Sequence, residues 1–227
     1  METKYYKISL TNTAFLGEIV LITVSLVFLL INLRNNPIYY KGQPVLPFIL
    51  LSAATVPTLL RRKNLSSLGL HLEGHELSLW LLCRICMVTL PALVCGILLL
   101  NNYKIALPLC PVIPEKSLIS WLIYQFLCVA FAEEVFFRGY LQSNIQCYLS
   151  SNLQKNPAIS ALTGIIFSAA IFALFHFIVS GNAISLITFL PGLIFGWLFY
   201  RTRSLLAPVL FHGLANVAYG LFAVLFA

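Results

Sequence analysis

The sequence predicts an all-α fold, a polytopic transmembrane helical bundle of about seven to eight helices. Three observations predict it. Sixty per cent of the 227 residues are hydrophobic and only 9% are charged, against about 25% charged in a soluble domain. Mean hydropathy is +0.92. The apolar residues form long unbroken runs rather than the short alternating segments of a barrel. This composition excludes a soluble enzyme, a nucleic-acid binder and a disordered tail. The net charge of +7 reads as the Lys/Arg excess of cytoplasmic loops beside anionic lipid.

A span needs about 20 apolar residues, and seven runs qualify. Residues 14–33 are too long for a signal-peptide core and lack a small-x-small cleavage site, so they read as a retained helix. Residues 44–60 follow, ending at Arg61-Arg62-Lys63. Residues 64–76 are mixed and read as interfacial. The third span is 77–100, and the loop after it carries Pro108, Pro111 and Pro114. The fourth, 118–141, contains Glu133, Glu134 and Arg138. Residues 142–157 are polar. Spans five to seven cover 158–179, 183–200 and 204–226.

Loop charge sets the orientation. Lys4, Lys7, Arg61, Arg62, Lys63, Lys155, Arg201 and Arg203 face inward if the N-terminus is cytoplasmic, and Arg34, Lys41, Lys104 and Lys116 outward. That balance favours N-in and C-out; the expected location, separately, is a bacterial cytoplasmic membrane. Tyr39, Tyr40, Trp80, Tyr103, Trp121 and Tyr200 fit interfacial belts. The chain reads as one integral membrane domain over residues 1–227. Residues 1–117 supply N-terminal helices and the interfacial segment, and 118–227 supply the C-terminal helical core.

Polar groups inside spans are costly and therefore functional candidates. Glu18 and Arg84 lie near helix ends and are expected to snorkel to the interface. Glu133 and Glu134 lie well inside an apolar helix. Residues four apart share a helix face, so Glu134 can pair with Arg138. Adjacent residues point about 100° apart, which leaves Glu133 without that partner. Two carboxylates separated in this way can take different acid/base roles. His176 ends the fifth span. His212 and Asn216, four apart in the seventh, share a face. A neutral amide donor such as Asn216 suits an oxyanion. His71 and His75, in the interfacial segment, have no assigned role. Cys83-x-x-Cys86 lies inside an apolar run, without a second pair, and reads as packing.

Absences narrow the chemistry. All seven acidic residues are Glu, which excludes a paired-aspartate protease and a Ser-His-Asp triad. H-E-x-x-H, a serine elbow, a Walker A loop and a dinucleotide glycine motif are also missing.

The remaining motifs resemble the CAAX protease and bacteriocin-processing (CPBP) family, which includes the CAAX prenyl endopeptidases and the Abi proteins. Its pattern is E-E-x-x-x-R, F-x-x-x-H and H-x-x-x-N/B on separate membrane helices. This chain has Glu133-Glu134-x-x-x-Arg138, Phe172-x-x-x-His176 and His212-x-x-x-Asn216, in that order. The stretch from Gly192 and Gly196 through Arg201, Arg203, Ser204 and Pro208 is similar to the family's lead-in. Arg203 stands where glycine is usual, a change expected to affect a turn but no catalytic position. The resemblance covers roughly 118–217.

The resemblance implies peptide-bond hydrolysis inside the membrane, with the active site in the C-terminal helical core. It implies Glu133 as general base, His176 positioning water, and His212 with Asn216 on the oxyanion. Glu134 and Arg138 would brace the site. Metal-dependent and glutamate-dependent mechanisms have both been proposed for the family. Nothing in the spacing decides between them; the expectation is no cofactor, and zinc, if bound, would sit on Glu133, His176 and His212. The expected partners are a membrane-associated peptide or protein substrate and the lipid bilayer, with no nucleic acid. CAAX processing, peptide maturation and cleavage of C-terminal sorting signals all remain open as the role. Two other classes compete: a non-catalytic bacteriocin-immunity scaffold and a proton-coupled transporter.

At 1.5 Å per residue, Glu133 lies about 22 Å below the outer end of its span, while His176 lies near the outer end of the next. The site can form only if the fourth helix continues into residues 142–149 or the fifth is shifted; a long, tilted fourth helix is expected.

Overall fold

A computed structural model describes residues 12–35, 45–71, 73–103, 117–152 and 156–226. Lys4, Lys7, Tyr39, Tyr40, Lys41, Lys104, Lys116 and Lys155, used in the topology argument, lie outside these ranges, as do the three loop prolines. Among the described residues there are seven helices and no strand. They are α1 (Asn12–Arg34), α2 (Val45–Leu60), α3 (His75–Asn102), α4 (118–152), α5 (Pro157–Ser180), α6 (Ala183–Thr202) and α7 (Leu206–Phe226). Five of them, α1, α3, α4, α5 and α6, are long and apolar enough to cross a membrane; α2 and α7 are shorter apolar helices. The protein is an integral membrane helical bundle.

Packing, more than sequence period, sorts these helices. Helix α1 is largely apolar, yet only one stripe faces the bundle: Phe15, Ile19, Leu26 and Leu30 are buried, whereas Val20, Leu21, Val24 and Phe28 are exposed. The exposed set suits a lipid face, where leucine-rich surface carries no solvation penalty.

Helix α4 is the axis of the fold. It continues past 141 through the polar stretch to 152, so Glu133 falls near its midpoint. Its turns are uneven. Wide, π-helical turns occupy Tyr124–Ala130 and Val135–Gln142, on either side of the α-helical Phe131–Glu134. Every residue from Ala132 to Gln142 is buried. Such wide turns are uncommon and concentrate at functional sites.

Helix α5 starts at an Asn156 cap, whose Oδ1 accepts from the Ala158 amide, followed by Pro157 at the first position. It stops at Gly181, whose φ of +70° supplies the left-handed turn. Helix α6 then returns alongside. Gly192 and Gly196 let it close up: a Cβ at Gly192 would lie 3.2 Å from Ala169 Cβ, and one at Gly196 would lie 2.9 Å from Gln142 Oε1. Gln142 Nε2 donates to the Gly196 carbonyl at 2.9 Å, tying α4 to α6.

The segment read as interfacial holds a short 3-10 turn, Leu65–Leu68, and docks inward. Leu68 is buried, and its carbonyl lies 2.6 Å from where a Cβ on Gly139 would project. His71, given no role from sequence, makes a link between segments. Its Nε2 meets the Arg203 carbonyl at 3.0 Å, and its own carbonyl accepts from Ser204 Oγ at 3.1 Å.

Candidate active site

Three helices carry the six sequence-selected residues, and close approaches link five of them, Glu133, Glu134, Arg138, His176 and His212, whereas Asn216 meets Gln125. Helix α4 carries Glu133, Glu134 and Arg138; α5 carries His176; α7 carries His212 and Asn216.

Glu134 is the hub. Arg138 Nε donates to its Oε2 at 3.0 Å, one turn along the same helix, with both side chains fully buried. His212 Nδ1 donates to its Oε1 at 2.9 Å, from 78 residues away in sequence. The second guanidinium arm of Arg138 donates from Nη1 to Ser168 Oγ at 2.8 Å, and Ser168 Oγ donates on to the Phe137 carbonyl at 2.7 Å. Aromatic faces enclose the rest of the cation. The guanidinium carbon lies 5.1 Å from the Phe172 ring centroid and 5.6 Å from that of Phe195, within cation–π range.

Glu133 points elsewhere, as the 100° step between neighbours requires. Its Oε2 is buried and, among the described residues, accepts no hydrogen bond. Two imidazole nitrogens face it: His176 Nε2 at 3.9 Å and His212 Nε2 at 3.8 Å. These separations are too long for direct hydrogen bonds, but a small bridging molecule can span them.

Both imidazoles are held from behind. His176 Nδ1 donates to the Phe172 carbonyl at 3.2 Å, and His212 Nδ1 is bound to Glu134. In a neutral ring this leaves Nε2 as the free position. Phe195 stacks on His212 with centroids 4.8 Å apart and planes inclined by 12°, and Phe172 touches both imidazoles. His212 is buried and His176 half-buried. Asn216, also half-buried, donates from Nδ2 to Gln125 Oε1 at 3.0 Å.

Sequence reading missed two participants, Ser168 and Gln125. Both are polar residues in apolar runs, which was the available signal.

The set Glu133, His176 and His212 matches zinc in ligand type. Tetrahedral ligands about 2.0–2.1 Å from zinc lie about 3.3 Å from one another. The separations from Glu133 are wider, and among the described residues no group of three or more His, Cys, Asp or Glu is arranged to hold a metal ion.

Comparison with known families gives one result. Residues 115–218 match the family described as Type II CAAX prenyl endopeptidase Rce1-like. The match spans a little under half of the chain, contains all six residues, and is consistent with the CPBP resemblance of the motifs. No curated protein and no solved structure matches the chain.

Proposed function

We propose that this protein is a glutamate-dependent intramembrane endopeptidase that hydrolyses a peptide bond near the end of a membrane-associated protein or peptide, with a prenylated CAAX-type tail as the first substrate class to test. The family match supports a CAAX-type protease in general terms. One observation carries the finer reading: a buried carboxylate oxygen of Glu133 without a hydrogen-bond partner, faced by two imidazole nitrogens at 3.8 and 3.9 Å.

In the proposed reaction a water molecule bridges Glu133 Oε2 and His176 Nε2. Glu133 accepts one proton from it as general base. The oxygen attacks the scissile carbonyl carbon and the carbonyl oxygen becomes an oxyanion. His212, protonated at Nε2, and the Asn216 amide donate to that oxyanion. Glu134 stabilises the charged imidazole through Nδ1, as a carboxylate does in other hydrolytic sites. Protonated Glu133 then returns its proton to the leaving amine, the carbonyl re-forms, and the peptide bond breaks. Arg138 keeps Glu134 in place. No metal takes part in this scheme. The bilayer surrounds the bundle, and the N-terminus is taken as cytoplasmic from loop charge.

The test uses the purified protein in detergent and a peptide ending in a farnesylated cysteine followed by three residues. Wild type cleaves it. Glu133→Gln lowers the rate by at least about 100-fold, the range expected for loss of a positioned base. A zinc chelator leaves wild type unchanged. Cleavage that survives Glu133→Gln overturns the proposal, and cleavage lost to chelator and restored by zinc replaces it with the metal-dependent alternative.

A further inference from the structure

Gln125 is buried on α4, in the wide turns Tyr124–Ala130 that precede the glutamate pair. The scheme above does not use it. Its Oε1 accepts from Asn216 Nδ2 at 3.0 Å, across 91 residues of sequence. The approach of α7 to α4 that permits this bond is made at Gly213, three residues before Asn216. A Cβ there would strike the ring of Phe126, the residue after Gln125.

The chemistry of this contact is directional. An asparagine amide nitrogen carries two hydrogens. With one donated to Gln125, the amide plane is set and the second hydrogen has a defined direction. Without that acceptor, the terminal torsion of asparagine is broad and its two ends can exchange.

Resting on the endopeptidase reading above, we infer that Gln125 is a positioning residue, which holds the Asn216 amide so that its second Nδ2 hydrogen addresses the oxyanion. Its contribution belongs to the transition state and not to substrate binding, so it acts on kcat rather than KM.

The experiment uses the full chain in detergent with the same farnesylated peptide. Gln125→Met, equal in length but without an acceptor, lowers kcat about 10- to 100-fold and leaves KM within about twofold. Gln125→Glu, which keeps an acceptor, recovers most of the rate. In an Asn216→Ala background, Gln125→Met has no further effect, because the amide it would orient is gone. Should Gln125→Met fail to fold, Gln125→Asn, one carbon too short to reach, gives the same readout. Wild-type kcat in these variants, or losses that multiply with Asn216→Ala, overturn the inference. The two readings fail separately. If Glu133→Gln still cleaves, the endopeptidase reading falls and this one falls with it. If Glu133→Gln is inert while Gln125→Met and Gln125→Asn keep the full rate, only the role of Gln125 is lost.

Discussion

Arg138 is one of the largest fully buried side chains among the described residues, and a lone guanidinium there would be prohibitive. Glu134, Ser168 and three aromatic rings are what make it tolerable. Their contributions are unequal. Glu134→Gln leaves an uncompensated buried charge and is expected to destabilise the protein by about 3–5 kcal/mol. Ser168→Ala removes one neutral acceptor, for about 1–3 kcal/mol. Thermal unfolding in detergent should therefore fall much further for the first than the second, and equal shifts would refute this ranking. The Glu134–Arg138 pair was readable from spacing alone, since it closes within one helix turn. Ser168 was not. Hydroxyls in apolar helices commonly bond their own helix, as Thr23, Thr55, Thr58, Thr89 and Thr163 do here by reaching back four residues. Ser168 carries the same signal of a polar residue in an apolar run as these threonines, yet it reaches across to α4.

At the scale of elements, the spans were legible because 20-residue apolar runs have few other uses. Their ends were less so. Residues 142–152 are polar in sequence yet continue α4, because Gln142, Asn144 and Gln146 find partners there: the Gly196 carbonyl, the Tyr140 carbonyl and the Ala161 carbonyl. The end of α6 is a second case. Arg203 occupies the family's glycine position and adopts the conformation glycine would, with φ of +57°, while its amide donates to the Phe199 carbonyl at 2.8 Å. The turn is therefore preserved at the expense of left-handed backbone strain, about 1–2 kcal/mol for a residue with a Cβ. Arg203→Gly relieves that strain but loosens the unfolded chain, so a net gain of about 0.5–1 kcal/mol is expected. A lowered unfolding temperature would show that the Arg203 side chain, whose guanidinium lies over the Tyr200 ring, contributes more than its backbone strain removes.

At the scale of the molecule, α1 and α2 pack on the central helices yet leave a groove of about 800 Å³ between them. A polar tie closes one end of it. Glu18 does not simply snorkel: it pairs with Arg61, whose Nε donates at 3.0 Å, and accepts from Tyr140 on α4 at 3.2 Å, while Arg61 also donates to Asn144. Arg61→Leu should lower stability by about 1–3 kcal/mol. Glu18→Leu added to it should recover part of the loss, since an apolar pair leaves no charge unmatched. Unfolding of the single and double variants in detergent checks both, and a double variant weaker than the single would refute the account. The candidate site depends on a similar long-range condition. Glu133 lies fifteen residues into α4 and His176 four residues from the end of α5, yet the two side chains approach to 3.9 Å, so the two helices are staggered along their lengths. Residue types and their 3.6-residue spacing determined, within each helix, which side chains share a face and so which chemistry that face carries. The stagger between helices was decided only in the folded bundle, at Gly192, Gly196 and Gln142, because it follows from how closely two surfaces pack and no periodicity within a single helix encodes it.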